Sequence, residues 1–536
     1  MPTDYIPFKD TNYFSSLICD YLDEKEDLKP FYNRFPTLEN FKKQIEEKQP
    51  SFDKRNRADL VKALMMQYED LKISSMTLTN IDLLNHSTTF TVTTGHQLNL
   101  FTGPLYFFYK IISTINLCKA LKEDNPTYNF VPVFWMATED HDFEEINFFN
   151  FKGRKVQWNR NASGAVGELD LEGLDQVYGA FSAQLDSSDN AKSLKDLFYQ
   201  SYLEHDNLTD ATRFLVNKLF SIYGLVILDG NDPLLKKLFI PYIEEELINQ
   251  TSFEKVSKTN DAINELPSNY KIQVNPREIN LFYITKNLRE RILETDGIFG
   301  VLDTDIRWTK AELLAEVNAY PERFSPNVIL RPMYQEVILP NLCYIGGGGE
   351  LAYWLQLKSN FESQEVTFPI LLLRNSAVLI TEMQKKKLKK MKVPVTDLFL
   401  NQNDLMDKVT KSISDINIDF SLQKEQLHDQ FEELYALADK TDKSFKGAVA
   451  AQEVKQIKGL ENLERRLLKA QKRKMDDVLV RVRVLQDELF PKQSLQERQM
   501  NISEFYLEYG EGIIQTLVQN LDPLKAEFLI LDISNQ

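Results

Sequence analysis

TTFTVTTGHQ (88–97) and NFVPVFWMATEDHD (129–142) are the two segments that decide the fold of this chain. Each begins with β-branched and aromatic residues, the pattern of a buried strand, and each ends in polar residues. The apolar segment that starts at Pro104 predicts a helix between them, because proline is tolerated in a first helical turn. In open α/β sheets, ligands bind outside the carboxyl ends of the strands. We therefore expect these two strand ends, together with the end of a strand at 342–345, to form the walls of one active-site cleft.

Three further segments predict buried strands: GLVILDGNDP (224–233), LCYI (342–345) and FPILLLR (368–374). Helical patterns separate them, and residues before 88 also look helical. A last strand is predicted at FLIL (528–531). Strands that alternate with helices favour an α/β fold with a parallel, doubly wound sheet.

Two polar segments interrupt this alternation and predict inserted subdomains. The first begins with a glycine-containing stretch that has little helical pattern, and the second carries short β-rich runs typical of hairpins. The predicted division is a core in three parts (1–150, 206–255 and 323–400), two insertions (151–205 and 256–322), a helical coiled coil (401–500) and a return to the core (501–536).

The segment 401–500 has the pattern of a long antiparallel helical hairpin. An apolar stripe that begins at Phe420 marks one helix, and a 3-4 spacing of apolar residues from Leu460 to Leu489 marks a longer one. The bend is predicted at 440–442 or 446–447. An arm with such a stripe exposes many apolar side chains, so we expect it to join two copies of the chain in a homodimer.

Composition excludes several classes of protein. The 536 residues include 63 basic and 79 acidic ones, and the net charge of −16 argues against general nucleic-acid binding. The basic runs 385–392 and 465–474 are interpreted as solvated helix faces. The N-terminal residues lack the pattern of a signal peptide, and no apolar stretch is long enough to span a membrane, so a cytoplasmic protein is expected.

The turn after the first strand is one candidate site. Gly95 allows backbone amides to approach an anion, His96 can contact phosphate or act as an acid, and the helix that follows adds its positive dipole end. The turn Thr102-Gly103 strengthens this interpretation. A tight turn with a hydrogen-bonded histidine remains the structural alternative.

The acidic cluster Glu139-Asp140-His141-Asp142 is more specific. Three carboxylates and an imidazole directly after a buried strand are costly unless they bind a ligand or face water. They could hold an amine, a sugar hydroxyl or Mg²⁺, and one could be a general base. The alternative is a helix N-cap with an acidic first turn.

The glycine run 346–349 before Glu350 is a third candidate, because its amides could receive a phosphate or carboxylate. A flexible turn is the structural alternative. Arg331 could clamp an anion with two hydrogen bonds. The cysteines Cys19, Cys118 and Cys343 indicate no disulfide framework. A zinc site built from His96, His141 and Cys343 has no support from spacing, and Cys343 is more typical of packing than of catalysis.

TGHQLNLFTGPLYFFYKI (94–111), VPVFWMATEDHDFEEI (131–146) and RPMYQEVILPNLCYIGGGGELAYW (331–354) closely resemble the BshC family, the cysteine ligases of bacillithiol biosynthesis. The resemblance covers nearly the whole chain. That family usually has glycine-proline-glycine before the glutamate, so Gly348 is a departure.

The resemblance implies a Rossmann-like core with two insertions and a coiled coil that mediates dimerisation. It implies that L-cysteine is added to glucosaminyl malate in the last step of bacillithiol biosynthesis, with ATP or another nucleotide, and it leaves any metal unknown. The implied catalytic candidates are His96, Glu139, Asp140, His141 and Asp142. The implied substrate- or nucleotide-binding candidates are Gly95, Gln97, Asn99, Thr102, Gly103, Arg331, Gln335, Gly346, Gly347, Gly348, Gly349, Glu350 and Tyr353.

Without the resemblance, the residues indicate an α/β enzyme that binds a phosphorylated or anionic ligand. Two alternatives stay open: an enzyme similar to nucleotidyltransferases that activates another carboxylic acid, and a non-enzymatic coiled-coil scaffold. The polar strand ends argue against the scaffold, because a scaffold does not need them.

Overall fold

The computed structural model describes residues 3–533. Its strands, in chain order, are β1 (Thr3–Pro7), β2 (Thr89–His96), β3 (Asn129–Met136), β4 (Phe148–Phe151), β5 (Arg154–Gln157), β6 (Val226–Asp229), β7 (Leu281–Thr285), β8 (Leu288–Thr295), β9 (Ile298–Val301), β10 (Arg307–Thr309), β11 (Phe324–Pro326), β12 (Asn341–Gly346), β13 (Ile370–Leu373), β14 (Ala377–Thr381) and β15 (Glu527–Ile533).

The helices, in chain order, are α1 (Ser16–Leu22), α2 (Leu38–Ser51), α3 (Lys54–Gln67), α4 (Ser75–Leu83), α5 (Tyr106–Asp124), α6 (Phe143–Ile146), α7 (Leu174–Ser182), α8 (Asp189–Tyr202), α9 (Leu208–Phe220), α10 (Pro233–Asn249), α11 (Thr251–Asn264), α12 (Lys310–Ala319), α13 (Arg331–Ile338), α14 (Gly348–Trp354), α15 (Lys358–Ser363), α16 (Glu382–Met391), α17 (Gln402–Ile413), α18 (Ser421–Ala438), α19 (Lys443–Lys474), α20 (Asp476–Leu489), α21 (Gln496–Gln499), α22 (Ile502–Tyr509) and α23 (Gly512–Asn520). No helix in this part of the chain is long and apolar enough to cross a membrane.

The central sheet is parallel and has the order β13-β12-β2-β3-β6. Its strands are almost wholly buried, as expected for a sheet covered on both faces. The buried hydroxyls of Thr91 and Thr93 in β2 donate to Asn341 Oδ1 at 3.1 and 2.8 Å, which helps to hold β12 beside β2. The predicted α/β class and parallel, doubly wound sheet are confirmed.

The order of the strands places a switch point between β2 and β12. From β2 the chain proceeds outward through β3 to β6, and it later returns on the other side of β2 to form β12 and β13. Helices on the two sides of such a point leave a crevice at the carboxyl ends of the strands. His96 ends β2 and Gly346 ends β12, so both lie at this crevice.

The second inserted segment contains the predicted hairpins as part of an antiparallel sheet of order β10-β9-β8-β7-β11. The glycine-containing stretch after residue 150, in which little helix was expected, has no α-helix before Leu174. A short β4-β5 hairpin is followed by α7 and α8, whose apolar faces are buried at Phe181 and Phe198. The polar composition that surrounds these positions concealed two amphipathic helices.

A third sheet, of order β1-β15-β14, was only partly anticipated. The last strand was predicted, but β1 and β14 were not. β1 pairs with β15 antiparallel, and β14 pairs with β15 parallel. Strands as short as these show little periodicity in the sequence, and their pairing depends on residues that are distant along the chain.

The helical hairpin is confirmed, with α18 and α19 joined by a bend at 439–442, so Gly447 lies inside α19. The prediction of one long helix with an exposed apolar stripe from Leu460 to Leu489 was wrong in its second half. The helix breaks at Met475, and α20 packs against α16, α17 and β14. Leu485 is 1% exposed in that core, whereas Leu463 on α19 is 53% exposed.

Candidate active site

One cavity of about 760 Å³ lies at the carboxyl ends of β2, β3 and β12. His96, Asp140 and Gly348, one from each predicted strand end, line it together, so the three strand ends form the predicted cleft. The predicted site residues on its wall are Gly95, His96, Gln97, Glu139, Asp140, His141, Arg331, Gly347, Gly348, Gly349, Glu350 and Tyr353.

The remaining predicted residues lie outside this cavity. Asn99 and Gly103 line an adjoining cavity, whereas Thr102 lies behind it in the core. Asp142 is exposed at the start of α6, Gln335 is buried on α13 with its amide donating to Glu336, and Gly346 is covered by Leu351 and Glu350. Of these six residues, only Asn99 and Gly103 line the adjoining cavity, and Thr102, Asp142, Gln335 and Gly346 line neither cavity.

His96 is buried, stacked on Tyr106, and its Nδ1 lies 2.9 Å from the carbonyl oxygen of Gln97. A carbonyl can only accept, so Nδ1 carries the proton and Nε2 presents a lone pair. Burial, followed by the nearby Lys110 ammonium, lowers the pKa of His96 to about 3. Nε2 has no hydrogen-bond partner within residues 3–533. His96 is therefore a neutral acceptor, and the acid role considered from the sequence is not favoured.

The acidic loop after β3 is held by three different elements. Glu139 forms an ion pair with the buried Lys236 of α10. Asp140 accepts a hydrogen bond of 2.8 Å from the side chain of Gln97. His141 Nδ1 lies 2.6 Å from the guanidinium of Arg289 on β8, which must be the donor. The side chain of Asp140 remains 28% exposed, so it can still meet a ligand.

The glycine run is not the flexible turn considered as its alternative. Gly346 completes β12, Gly347 caps α14, and all four glycines have negative φ angles. Glu350 accepts from Tyr344 Oη at 2.6 Å and from Gly347 N at 2.8 Å, and its other contact is Lys110 Nζ at 2.6 Å. Burial alone would raise the pKa of Glu350, but the Lys110 charge and these hydrogen bonds lower it to about 2. Its carboxylate is occupied by the protein itself.

Two arginines on the wall have free donors. Arg331 lies over the rings of Trp135 and Tyr344, and its Nη2 is buried without a partner in the described chain. Arg374 is 3% exposed, pairs with Glu497 at 2.7 Å, and leaves its Nε without a partner among the described residues. Buried donors of this kind cost free energy unless a ligand completes them. An anion is the natural occupant.

Several residues of the site were missed by the sequence reasoning. Lys110 lies within the apolar run of α5, and Arg374 directly follows the buried strand β13. A charge at either kind of position is unusual, and both could have been found on that ground. Arg289 on β8 and Arg498 on α21 carry no local pattern, because only the tertiary fold brings them to the cavity.

Cys343 faces the other side of the sheet, where it packs with Val92 and Cys118. It cannot reach the cavity from there, which rules out the alternative of a catalytic thiol at this site. Residues 3–533 contain no group of three His, Cys, Asp or Glu side chains arranged to hold a metal ion.

A doubly wound α/β sheet with this charged cavity at its switch point defines an enzyme of the Rossmann-like class. Residues 1–375 match the family model described as "Bacillithiol biosynthesis BshC, N-terminal Rossmann-like domain", and residues 377–533 match the "C-terminal coiled-coil domain" of the same description. The chain belongs to the BshC family.

Relatives over the full length agree with this membership. Proteins from Christiangramia forsetii and Flavobacterium johnsoniae, both named "Putative cysteine ligase BshC", are 58% identical to this chain. Each alignment covers 99% of this chain, and 99% and 100% of the two relatives. A relative of the same name from Cytophaga hutchinsonii is 40% identical over 97% of this chain and 96% of its own. The predicted enzyme class, a ligase, is confirmed.

A solved structure described as a "putative arginyl t-RNA synthetase" from Campylobacter jejuni covers 84% of this chain, and 99% of its own length is matched. Its TM-score is 0.21 and its identity is 11%, so it supports no inference.

Proposed function

We propose that this chain joins the carboxylate of L-cysteine to the amine of glucosaminyl malate, the last step of bacillithiol biosynthesis. The names of the relatives support cysteine as one substrate, and the family description supports the pathway. The structural support is the division of charge in the cavity, which suits a substrate that carries both carboxylates and an amine.

The cavity wall contains six cationic and four anionic side chains. The cationic ones are Lys110, Arg277, Arg289, Arg331, Arg374 and Arg498, and the anionic ones are Glu139, Asp140, Glu145 and Glu350. The free donors of Arg331 and Arg374 suit the malate carboxylates or a nucleotide phosphate, because guanidinium matches both groups in shape and charge. Asp140, at the opposite strand end, suits the sugar amine.

Amide formation needs an activated carboxylate, and ATP or another nucleotide would supply the phosphoryl or nucleotidyl group. The sugar amine then forms the new C–N bond at the carbonyl carbon of cysteine, while the bond to phosphate or nucleotide oxygen breaks. The amine must lose a proton in this step. We assign to Asp140 the role of holding the amine and accepting that proton, and His96 Nε2 is a second candidate acceptor.

The direct test is to incubate the purified chain with L-cysteine, glucosaminyl malate and each nucleoside triphosphate in turn. We expect a product of the amide's mass, together with one equivalent of phosphate or pyrophosphate. Nucleotide cleavage with cysteine replaced by another acid, and no amide from cysteine, would favour the alternative of an enzyme that activates a different substrate. No product with any nucleotide, from a folded protein that binds both substrates, would contradict the proposal.

The cytoplasmic location stays a prediction.

We also propose a homodimer through α18 and α19. Phe445 and Leu463 are 43% and 53% exposed, and their spacing of about five turns of 3.6 residues puts them on one face of α19. The double variant Phe445→Glu, Leu463→Glu should be monomeric by light scattering. Ala451→Glu with Val454→Glu adds the same charge at exposed positions on the far side of α19 and should stay dimeric. A monomeric wild type at micromolar concentration would contradict the dimer.

A further inference from the structure

A second cavity, of about 480 Å³, adjoins the main one. We call it the side cavity. Four residues line both cavities: Gln97, Tyr106, Glu145 and Arg498. Gln97 Nε2 donates to Asp140 and to Glu145, at 2.8 Å in each case. The Gln97 side chain thus stands between the two cavities, where it joins Asp140 of the main cavity to Glu145, which lines both.

The C-terminal domain supplies the far wall of the side cavity through residues 498–500. Their backbone is held against the N-terminal domain at two places. Asn150 Nδ2 donates to Gln499 O at 2.8 Å, and Leu105 N donates to Met500 O at 2.8 Å. The backbone of Arg498 is therefore fixed, while its exposed side chain has no hydrogen-bond or ion-pair partner anywhere in 3–533 and lines both cavities.

The two cavities differ in the sign of the net charge of their lining residues. Cationic side chains outnumber anionic ones in the main cavity, whereas Glu144 and Glu145 outnumber Arg498 in the side cavity. Like charges at short range repel strongly where water is partly excluded. A triphosphate or a dicarboxylate is therefore favoured in the main cavity and disfavoured in the side cavity. A small zwitterion, with one ammonium and one carboxylate, suits the side cavity.

We propose that the side cavity binds L-cysteine as its zwitterion, with the ammonium at Glu145 and the carboxylate at Arg498. This inference rests on the proposed function, which makes cysteine a substrate. Arg498 stands at the junction of the two cavities, so the carboxylate that must be activated faces the main cavity, where a nucleotide phosphate and the sugar amine would meet it.

The rest of the side cavity suits the thiol. Phe148, Phe149 and Met500 give it an apolar wall, and its lining, within the described chain, contains no histidine or lysine. A thiol needs a nearby base or positive charge to become the nucleophilic thiolate. Glu144 and Glu145 on this wall are weak bases whose negative charge disfavours a thiolate, and the guanidinium stands at the junction with the main cavity. The thiol therefore stays protonated and does not compete with the sugar amine for the activated carboxylate.

The test uses three ligands that separate the two charges: L-cysteine, cysteamine without the carboxylate, and 3-mercaptopropionate without the ammonium. Arg498→Met should weaken the binding of L-cysteine and of 3-mercaptopropionate about tenfold or more, and should leave the affinity for cysteamine unchanged. Glu145→Gln should weaken the binding of L-cysteine and of cysteamine by a similar factor, and should leave the affinity for 3-mercaptopropionate unchanged. Titration calorimetry of the full chain, with and without a non-hydrolysable ATP analogue, measures these affinities.

Arg466→Met and Glu123→Gln remove the same charges at exposed positions far from the cavity and should change nothing. Unchanged cysteine affinity in Arg498→Met and Glu145→Gln, or losses that do not follow the ligand's charge, would overturn the proposal. So would a wild type that binds no cysteine under either condition. If cysteine binds with the expected pattern but no amide forms from glucosaminyl malate, the site stands and the proposed function fails.

Discussion

Glu350 and Asp140 are carboxylates on opposite walls of the same cavity, and their surroundings differ. The region after β12 surrounds Glu350 with donors from Lys110, Tyr344 and the amide of Gly347, although its side chain is still 26% exposed. The region after β3 leaves Asp140 28% exposed, held by Gln97 and the amide of His141. The comparison teaches that an acidic residue on a cavity wall can serve the wall or the ligand, and that its donors reveal which. We expect Glu350 to build the site and Asp140 to act in it.

Glu350→Gln should have the largest effect, because it leaves the Lys110 ammonium, which is 6% exposed, without its counter-charge. We expect a loss of about 3 kcal/mol of unfolding free energy together with loss of turnover. The pKa of Glu350 is lowered from 4.5 to about 2 in the folded state. Its stabilisation is thus complete above about pH 4.5 and is lost as the pH falls towards 2.

Urea unfolding at several pH values checks this expectation. The difference in stability between wild type and Glu350→Gln should be constant above pH 4.5 and should narrow below it. A variant as stable as wild type at pH 7 would contradict the structural role of Glu350, because this carboxylate would then be free for a ligand.

Asp140→Asn should lower turnover about 100-fold or more, the usual cost of removing a proton acceptor, with little change in melting temperature. Asp142→Asn is the matched control, two residues away in the same loop but exposed and outside the cavity. It should keep turnover within about twofold. Equal losses in the two variants would mean that the loop acts through its overall charge.

His96→Asn should lower turnover by a smaller factor, about tenfold, because an amide oxygen can replace only part of the acceptor role of Nε2. Since the pKa of His96 is about 3, the imidazole is neutral throughout the working range. The ratio of wild-type to variant turnover should therefore be the same from pH 5 to 9. A ratio that changes near pH 6.5 would show that this histidine titrates at its ordinary value.

Arg331→Met should raise the KM of the anionic substrate about tenfold and change kcat less, because its free Nη2 is assigned to binding. Arg473→Met, at an exposed position on α19, is the control and should leave both constants unchanged. A fall in kcat alone would move Arg331 from binding to catalysis.

The walls of the cavity were predictable from the sequence where a buried strand runs directly into polar residues, as at His96 and Asp140. The role of Glu350 was not, because its partner Lys110 lies 240 residues earlier and meets it only through the switch point of the sheet. The same limit applies to the helical hairpin. The spacing of Leu463 and Leu485 predicts an apolar face at both positions, but only the fold decides that α20 is covered by the core and α19 is not.

The pairing of β1 with β15 has a consequence for the order of assembly. Residues 3–7 and 527–533 are neighbours in the sheet, although about 520 residues separate them along the chain. A growing polypeptide cannot close this sheet until residue 533 has left the ribosome. Segment 496–501 also emerges late, and its Asn501 side chain donates the hydrogen bonds that hold the Thr102–Gly103 turn in place. A partly synthesised chain can therefore hold a folded Rossmann-like sheet and still lack the part of the cavity wall that Arg498 supplies, so the cavity is completed late in synthesis.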